Sequence, residues 1–135
     1  MRCTGLLLSI GALASCSTAP QPTTRSPQAQ RDYERLIADK VAGAPLTCLP
    51  SYNANDMVVI DERTIAYRQG AGRVYVNHMR NACMGLGGTT ALVTHSFGPQ
   101  TCNGDIAQVA DLSTRMTVGS CVFGDFIPYA KPRMR

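Results

Sequence analysis

Apolar positions recur with two different periods along the chain, and the change of period predicts one helix followed by strands. Between Asp32 and Val41 the apolar residues return at helical spacing, with charged residues mostly on the other side. Ser26-Pro27 is a suitable start because proline fits a first helical turn, and Gly43 and Pro45 are suitable stops. The apolar stripe predicts a packing face made of Tyr33, Leu36, Ile37 and Val41.

After Cys48 the apolar and β-branched residues form short runs or alternate with polar ones, which is the pattern of strands. Three runs predict an antiparallel meander with a glycine-rich connection at Gln69–Gly72: Met57–Ile60, Thr64–Arg68 and Arg73–His78. Three further strands are predicted at Ala91–Phe97, Ile106–Ala110 and Cys121–Ile127. The sequence therefore predicts a mainly β domain, a small antiparallel barrel or sandwich, with one N-terminal helix.

The N-terminal segment Met1–Ser15 has the composition of an export signal. Its apolar part, Leu6–Ala14, is uncharged and follows Arg2, but it is shorter than the roughly 20 residues that span a bilayer. Leu13-Ala14-Ser15-Cys16 has the form of a lipobox. It predicts cleavage before Cys16 and attachment of fatty acyl chains such as palmitate to that residue. Cleavage by an ordinary signal peptidase at nearby small residues is the alternative.

Cysteine parity agrees with lipidation. The chain has six cysteines, of which Cys3 leaves with the signal and Cys16 would carry the lipid. The remaining four predict two disulfides in an oxidising compartment, and their wide spacing is unlike that of zinc ligands or redox pairs. The spacing leaves the pairing open, with a preference for Cys83–Cys102 and Cys48–Cys121.

The predicted organisation is a lipid-anchored tether followed by one domain. Residues 16–30 are rich in Pro, Ser, Thr and Gln and predict a disordered tether, residues 31–130 a single β-rich domain, and residues 131–135 a basic tail. Several acyl chains hold a protein firmly on a membrane. By resemblance to bacterial lipoproteins generally, Ser17 after the cysteine favours the outer membrane, with the domain facing the periplasm.

Charge argues against a nucleic-acid partner. Removal of Arg2 leaves twelve basic and nine acidic residues, a formal charge of +3, and the excess lies in the tail at Lys131, Arg133 and Arg135. The body of the domain is therefore near neutral, unlike a nucleic-acid-binding surface. The tail either contacts anionic lipid or is a solvated terminus.

Two pairs of residues are weak candidates for chemistry. His78 and His95 would form a metal site or supply a general base if their strand faces met, but each is also an ordinary core or rim histidine. Asp105 and Asp125 each follow a glycine shortly after a cysteine. Paired carboxylates hydrolyse glycosidic bonds, whereas Gly-Asp is also common turn chemistry. No cofactor is expected.

Other motifs indicate binding rather than catalysis. Gly85–Gly88 offers amides to an anion or is a flexible loop, and no dinucleotide fingerprint or Gly-x-Ser-x-Gly elbow is present. Exposed aromatic residues favour interfaces. The candidate contact residues are therefore tyrosines, some of which must instead fill the core, namely Tyr52, Tyr67, Tyr75 and Tyr129.

A set of short motifs recurs in a fixed order from Cys48 to Pro128. They are Cys48, Asp61-Glu62-Arg63-Thr64-Ile65, Arg73-Val74-Tyr75-Val76-Asn77, Cys83 with Leu86, Cys102-Asn103-Gly104-Asp105, and Gly119-Ser120-Cys121 through Gly124, Phe126 and Pro128. Together they resemble a family of small exported, disulfide-containing proteins of Gram-negative bacteria known only as a domain of unknown function. The resemblance implies an exported disulfide domain and no particular reaction.

The leading hypothesis is an outer-membrane lipoprotein that is not an enzyme and that binds an envelope protein or peptidoglycan, or supports the envelope. One alternative is a peptidoglycan hydrolase using Asp105, Asp125 or His95. Another is a periplasmic inhibitor of a lysozyme-like enzyme or protease. A hydrolase predicts a cleft with converging titratable groups, a binding module predicts an exposed apolar patch, and an inhibitor predicts a protruding loop.

Overall fold

The structure, a computed structural model, describes residues 25–50 and 56–134. The predicted signal peptide, Cys16, Tyr52 and Arg135 lie outside these residues. One helix and ten strands follow each other along the described chain: α1 Pro27–Ile37, β1 Val41–Ala42, β2 Cys48–Leu49, β3 Met57–Asp61, β4 Thr64–Gln69, β5 Arg73–His78, β6 Thr90–His95, β7 Thr101–Cys102, β8 Ile106–Asp111, β9 Thr117–Val122 and β10 Phe126–Ala130.

The strands form three antiparallel sheets. The largest has the order β1-β10-β5-β4-β3, a second has the order β6-β8-β9, and β2 pairs with β7. The predicted meander β3-β4-β5 is confirmed, and so is the mainly β class with one N-terminal helix and two disulfides. The sheets are open, so the barrel that the sequence left as one possibility does not form.

Helix α1 begins where the sequence predicted a start, but it runs from Pro27 to Ile37 rather than from Asp32 to Val41. The Ser26 Oγ caps it by accepting a hydrogen bond from the Ala29 N–H at 3.2 Å. Residues 27–30, assigned to the tether from composition, therefore belong to the folded part. The helix ends early because Asp39 adopts a φ of 60° and Val41 then pairs with Ala130 at the edge of the large sheet.

The large sheet is covered on both faces. Strand alternation places Ala66, Val74 and Val76 on one face, where Tyr33, Leu36 and Ile37 of α1 pack against them. The opposite face contributes to the main core, which it shares with the inner face of β6-β8-β9. The buried members of that core include Ile65, Tyr67, Tyr75, Val109, Phe123 and Phe126. The result is a helix, a five-stranded sheet and a three-stranded sheet in layers.

The predicted sixth strand, Cys121–Ile127, is wrong as a single element. It is divided between β9 and β10, which belong to different sheets. The chain crosses between them at Gly124, whose carbonyl accepts from the Asn77 Nδ2 at 2.8 Å and whose N–H donates to the Asn77 Oδ1 at 3.1 Å. A buried side chain thus takes the place of a strand partner at the crossing point.

The disulfides join Cys48 to Cys102 and Cys83 to Cys121, so the preferred pairing from the sequence is wrong. Cys48 and Cys102 are directly opposite each other in the β2-β7 pair. Cys83 and Cys121 are fully buried in the main core. Strand pairing, rather than distance along the chain, decides which thiols meet.

Within the described part of the chain, no helix is both long enough and apolar enough to cross a bilayer.

Candidate binding surface

The outer face of β6-β8-β9 carries apolar side chains that no described residue covers. Ala107 and Val109 of β8 point into the core, so Ile106 and Gln108 point outward. The register places Val93 opposite Gln108 and Val122 opposite Ile106 on this same face. Val93 is 44% exposed and Ile106 is 47% exposed. We call Val93, Ile106, Gln108, Ser120 and Val122 the outer face.

Polar side chains interrupt the outer face without covering it. His95 lies opposite Ile106, and its Nε2 is 3.3 Å from the Gln108 Oε1. Ser120 lies opposite Gln108 on the neighbouring strand. Apolar side chains among groups that can hydrogen-bond match the composition of surfaces that bind proteins.

A loop next to the outer face presents an aromatic ring to solvent. Residues 96–100, between β6 and β7, are all exposed, and Phe97 is 99% exposed. The loop leaves β6 after His95 and enters β7, where Cys102 is linked to Cys48. A covalent link at one end restricts the motion of the loop, so the ring is presented from a limited set of positions.

The two histidines do not converge. His78 lies on the helix-covered face of the large sheet, where its ring centroid is 6.3 Å from that of Tyr33. His95 lies on the outer face of the other sheet, on the far side of the main core. The structure therefore places the two histidines on different sheets and does not bring them together. Within residues 25–50 and 56–134, no group of three or more His, Cys, Asp or Glu residues could hold a metal ion.

Each of the two aspartates accepts a hydrogen bond from a nearby residue. Asp105 is buried and its Oδ2 accepts a hydrogen bond from the Cys102 N–H at 2.8 Å, which confirms the turn interpretation. The Asp125 Oδ1 accepts from the Asn103 Nδ2 at 2.5 Å, and the Asn103 Oδ1 in turn accepts from Arg80. Neither carboxylate, nor His95, lines either of the two clefts described below.

Most of the tyrosines expected to contact a partner are in the interior. Tyr67 and Tyr75 are 4% and 3% exposed, and burial raises the pKa of Tyr67 to about 12. Tyr129 is partly buried, and its hydroxyl is 3.1 Å from that of Tyr33. Burial and this hydrogen bond raise the pKa of Tyr33 to about 12, against the opposing charge of Arg25. Aliphatic residues and Phe97 take the exposed positions instead.

Two glycine amides of the glycine-rich segment already bond to side chains of the protein. The Gly85 N–H donates to the Glu62 Oε1 at 2.9 Å, and the Gly87 N–H donates to the Thr90 Oγ1 at 2.9 Å. Gly85 has a φ of 78° and Gly87 a φ of 129°, conformations that favour glycine. The loop is therefore closed by the protein's own acceptors.

A cleft of about 710 Å³ lies at the start of α1, beside an ion pair that sequence analysis missed. The Arg25 Nε is 2.8 Å from the Asp61 Oδ2, and its guanidinium lies 4.4 Å from the centre of the Tyr33 ring. Partial burial and the Arg25 charge lower the pKa of His78, against the opposing effect of Asp61. Arg25 gave no signal because the surrounding segment has the composition of a tether.

A second cleft of about 380 Å³ lies between α1 and β3.

No family model, curated protein or solved structure matches the chain.

Proposed function

We propose that this chain is a non-catalytic binding module of the cell envelope that holds a protein partner on its outer face. The observation that carries the proposal is the exposure of Val93 and Ile106 on the same side of β6-β8-β9, the side that no described residue covers. Taking such a side chain from full exposure to full burial contributes about 1.5–3 kcal/mol, so covering the exposed half of each contributes about 1 kcal/mol. A partner that covers both would gain a substantial part of its binding free energy there.

The chemistry of the outer face favours a protein over a polysaccharide. Val93, Ile106 and Val122 are aliphatic, and the hydrogen-bonding groups of Gln108, Ser120 and His95 lie among and around them. Exposed apolar side chains grouped on one sheet face favour an interaction site. The hydroxyl and amide groups of peptidoglycan would be a poorer match for these aliphatic side chains than an apolar protein surface.

The proposed location is the outer membrane, with the domain in the periplasm and a lipid on Cys16. The lipobox and the signal sequence support this anchoring. The pairing of Cys48, Cys83, Cys102 and Cys121 in two disulfides also supports it, because it leaves Cys16 as the odd thiol of the exported chain. An acylated anchor would keep the outer face close to envelope partners.

A second candidate function is inhibition of a lysozyme-like enzyme or protease. The exposed loop 96–100, with Phe97 at 99% exposure and a disulfide near one end, favours it. Insertion of a held loop into an enzyme cleft requires such a projecting side chain. Inhibition would be lost on Phe97→Ala and kept on Val93→Ser, whereas binding through the outer face predicts the reverse order of effects.

Site-specific photo-crosslinking in intact cells tests the main proposal. A photoreactive amino acid at position 93 or 106 should give the same discrete crosslinked product. The matched control is position 31, because Arg31 is exposed on α1, on the opposite side of the large sheet. Ile106→Lys should abolish the product formed from position 93 while leaving the thermal unfolding temperature nearly unchanged. Equal products from positions 31 and 93, or none from positions 93 and 106, would refute the proposal.

Fractionation tests the location separately. The wild-type chain should be found with outer-membrane lipids, and a Cys16→Ser chain should not carry fatty acid. A soluble wild-type product without acyl groups would refute the anchor and leave the outer-face experiment unaffected.

A further inference from the structure

The 380 Å³ cleft lies on the helix-covered side of the domain, away from the outer face, and it has the size of a ligand pocket, about 300–1,000 Å³. Its apolar side chains include the buried Val74 and the partly buried Leu36 and Val58. Its basic side chains are Arg35, Lys40 and Arg68. The cleft therefore combines an apolar interior with cations.

The cleft is bordered by the edge strand β3. Val58, Val59 and Ile60 all line it, although successive side chains of a strand point to opposite faces. Val58 pairs with Ala66 and faces α1, whereas Val59 pairs with Ile65 on the core side. Three successive residues of this edge strand therefore border the cleft.

That edge has no strand partner among the described residues. β3 is the last strand of the large sheet and pairs only with β4. Proteins usually protect such edges with charged residues or proline, because an open edge pairs with other chains. Met57–Ile60 contains no charged residue and no proline. The pairing of β3 with β4 is regular from Met57 to Val59, and the register shifts only between Val59 and Asp61.

The charges of the cleft favour an anionic occupant. Three basic side chains face one acidic side chain, Asp32, which gives a formal excess of +2. Asp32 already accepts hydrogen bonds from Gln28 at 3.0 Å and lies 3.4 Å from Arg35. The Lys40 Nζ donates to the Leu36 carbonyl oxygen at 3.0 Å, which holds the ammonium at the end of the helix.

We propose that this cleft binds an extended acidic peptide, which adds as a strand to the open edge of β3. The peptide backbone hydrogen-bonds to Met57–Val59, alternate apolar side chains enter the cleft beside Leu36 and Val74, and carboxylates face Arg35, Lys40 and Arg68. Strand addition takes its affinity from main-chain hydrogen bonds and its specificity from alternate side chains. The proposal does not depend on the outer face or on lipidation.

Fluorescence anisotropy with the purified full chain tests it. The probe is a fluorescein-labelled octapeptide that alternates valine with glutamate and has blocked termini. Saturable binding is expected, with a loss of about threefold to tenfold for the Arg35→Gln/Arg68→Gln variant, as two exposed ion pairs would give. The matched control is Arg31→Gln, which removes the same charge from α1 outside the cleft. It should change the affinity less than twofold, which is no more than one weak exposed ion pair would give.

A second probe separates strand addition from simple charge attraction. The same octapeptide, N-methylated at alternate residues, keeps its charges but cannot donate the hydrogen bonds along one edge. Its affinity should fall about tenfold or more, since each lost hydrogen bond contributes about 0.5–1.5 kcal/mol. Equal affinity of the two peptides, or no saturable binding of the first, would overturn the proposal.

Vesicles supply the remaining comparison. Vesicles of phosphatidylglycerol and phosphatidylcholine should bind the Cys16→Ser chain and its Arg35→Gln/Arg68→Gln variant almost equally. Vesicle binding that depends on Arg35 and Arg68, without peptide binding, would assign the cleft to a lipid surface and overturn the peptide proposal.

Discussion

Replacing Asn77 by alanine should destabilise the fold more than any exposed polar substitution, because this side chain bridges β5 and the crossing between β9 and β10. Asn77 is fully buried. Its side-chain Nδ2 donates to the Gly124 carbonyl at 2.8 Å, and its Oδ1 accepts from the Gly124 N–H at 3.1 Å. Alanine removes both bonds and leaves the N–H and carbonyl of the buried Gly124 without these partners.

The expected cost follows from those two groups. A buried polar group that loses its partner costs about 1–3 kcal/mol, and water that enters the space left by the amide recovers part of it. The free energy of unfolding should therefore fall by about 2–4 kcal/mol. For a domain of this size, that lowers the melting temperature by about 10–20 °C.

Thermal and urea unfolding, followed by circular dichroism, measure the effect. The matched control is Asn103→Ala, because Asn103 hydrogen-bonds to Arg80 and Asp125 at the surface, where water can replace it. The control should lose less than about 1 kcal/mol. If Asn77→Ala lost no more than Asn103→Ala, the assignment of Asn77 as the link between the sheets would be wrong.

Three further predictions concern stability. Peptide mapping without reduction should recover Cys83 linked to Cys121, and replacing both by alanine should cost about 2–5 kcal/mol in urea unfolding; recovery of either cysteine linked elsewhere contradicts the fold. The pKa of His78 lies below its ordinary 6.5 in the folded state, so the unfolded chain binds more protons there, and stability should fall as the pH drops below 6.5 toward the folded pKa. His78→Gln should flatten that part of the pH–stability profile, and an unchanged profile would exclude this group as its source. Gly124→Ala should lower the melting temperature sharply, because a Cβ there would overlap the His78 carbonyl oxygen; soluble, wild-type-like melting would show that the crossing is not tightly packed.

Strand periodicity was sufficient to predict the meander and two strands of the other sheet. Alternation separated Ile65 and Tyr67 from their neighbours and Tyr75 from Val74 and Val76, but only the structure shows that Ile65, Tyr67 and Tyr75 face the core. Alternation also placed Val93 and His95 on one face, but it could not show that this face is open to solvent. An apolar side chain on a strand has the same local pattern whether another layer covers it or not.

The candidate sites were harder to predict, because each depends on contacts between distant segments. Arg25 and Asp61 are far apart in sequence, and the cleft beside α1 exists only because the helix lies over the edge strand. The pairing of the cysteines had the same origin, since the register of β2 with β7 brings Cys48 to Cys102.

The sequence by itself determined the strand faces, the start of α1 at Ser26-Pro27, the turn at Asp105 and the presence of two disulfides, because these depend on neighbours a few residues away or on the number of cysteines. The tertiary structure decided where α1 ends, how the chain crosses at Gly124, which thiols pair and which apolar side chains remain exposed. Those outcomes are set by packing and hydrogen bonds between segments that meet only when the layers assemble.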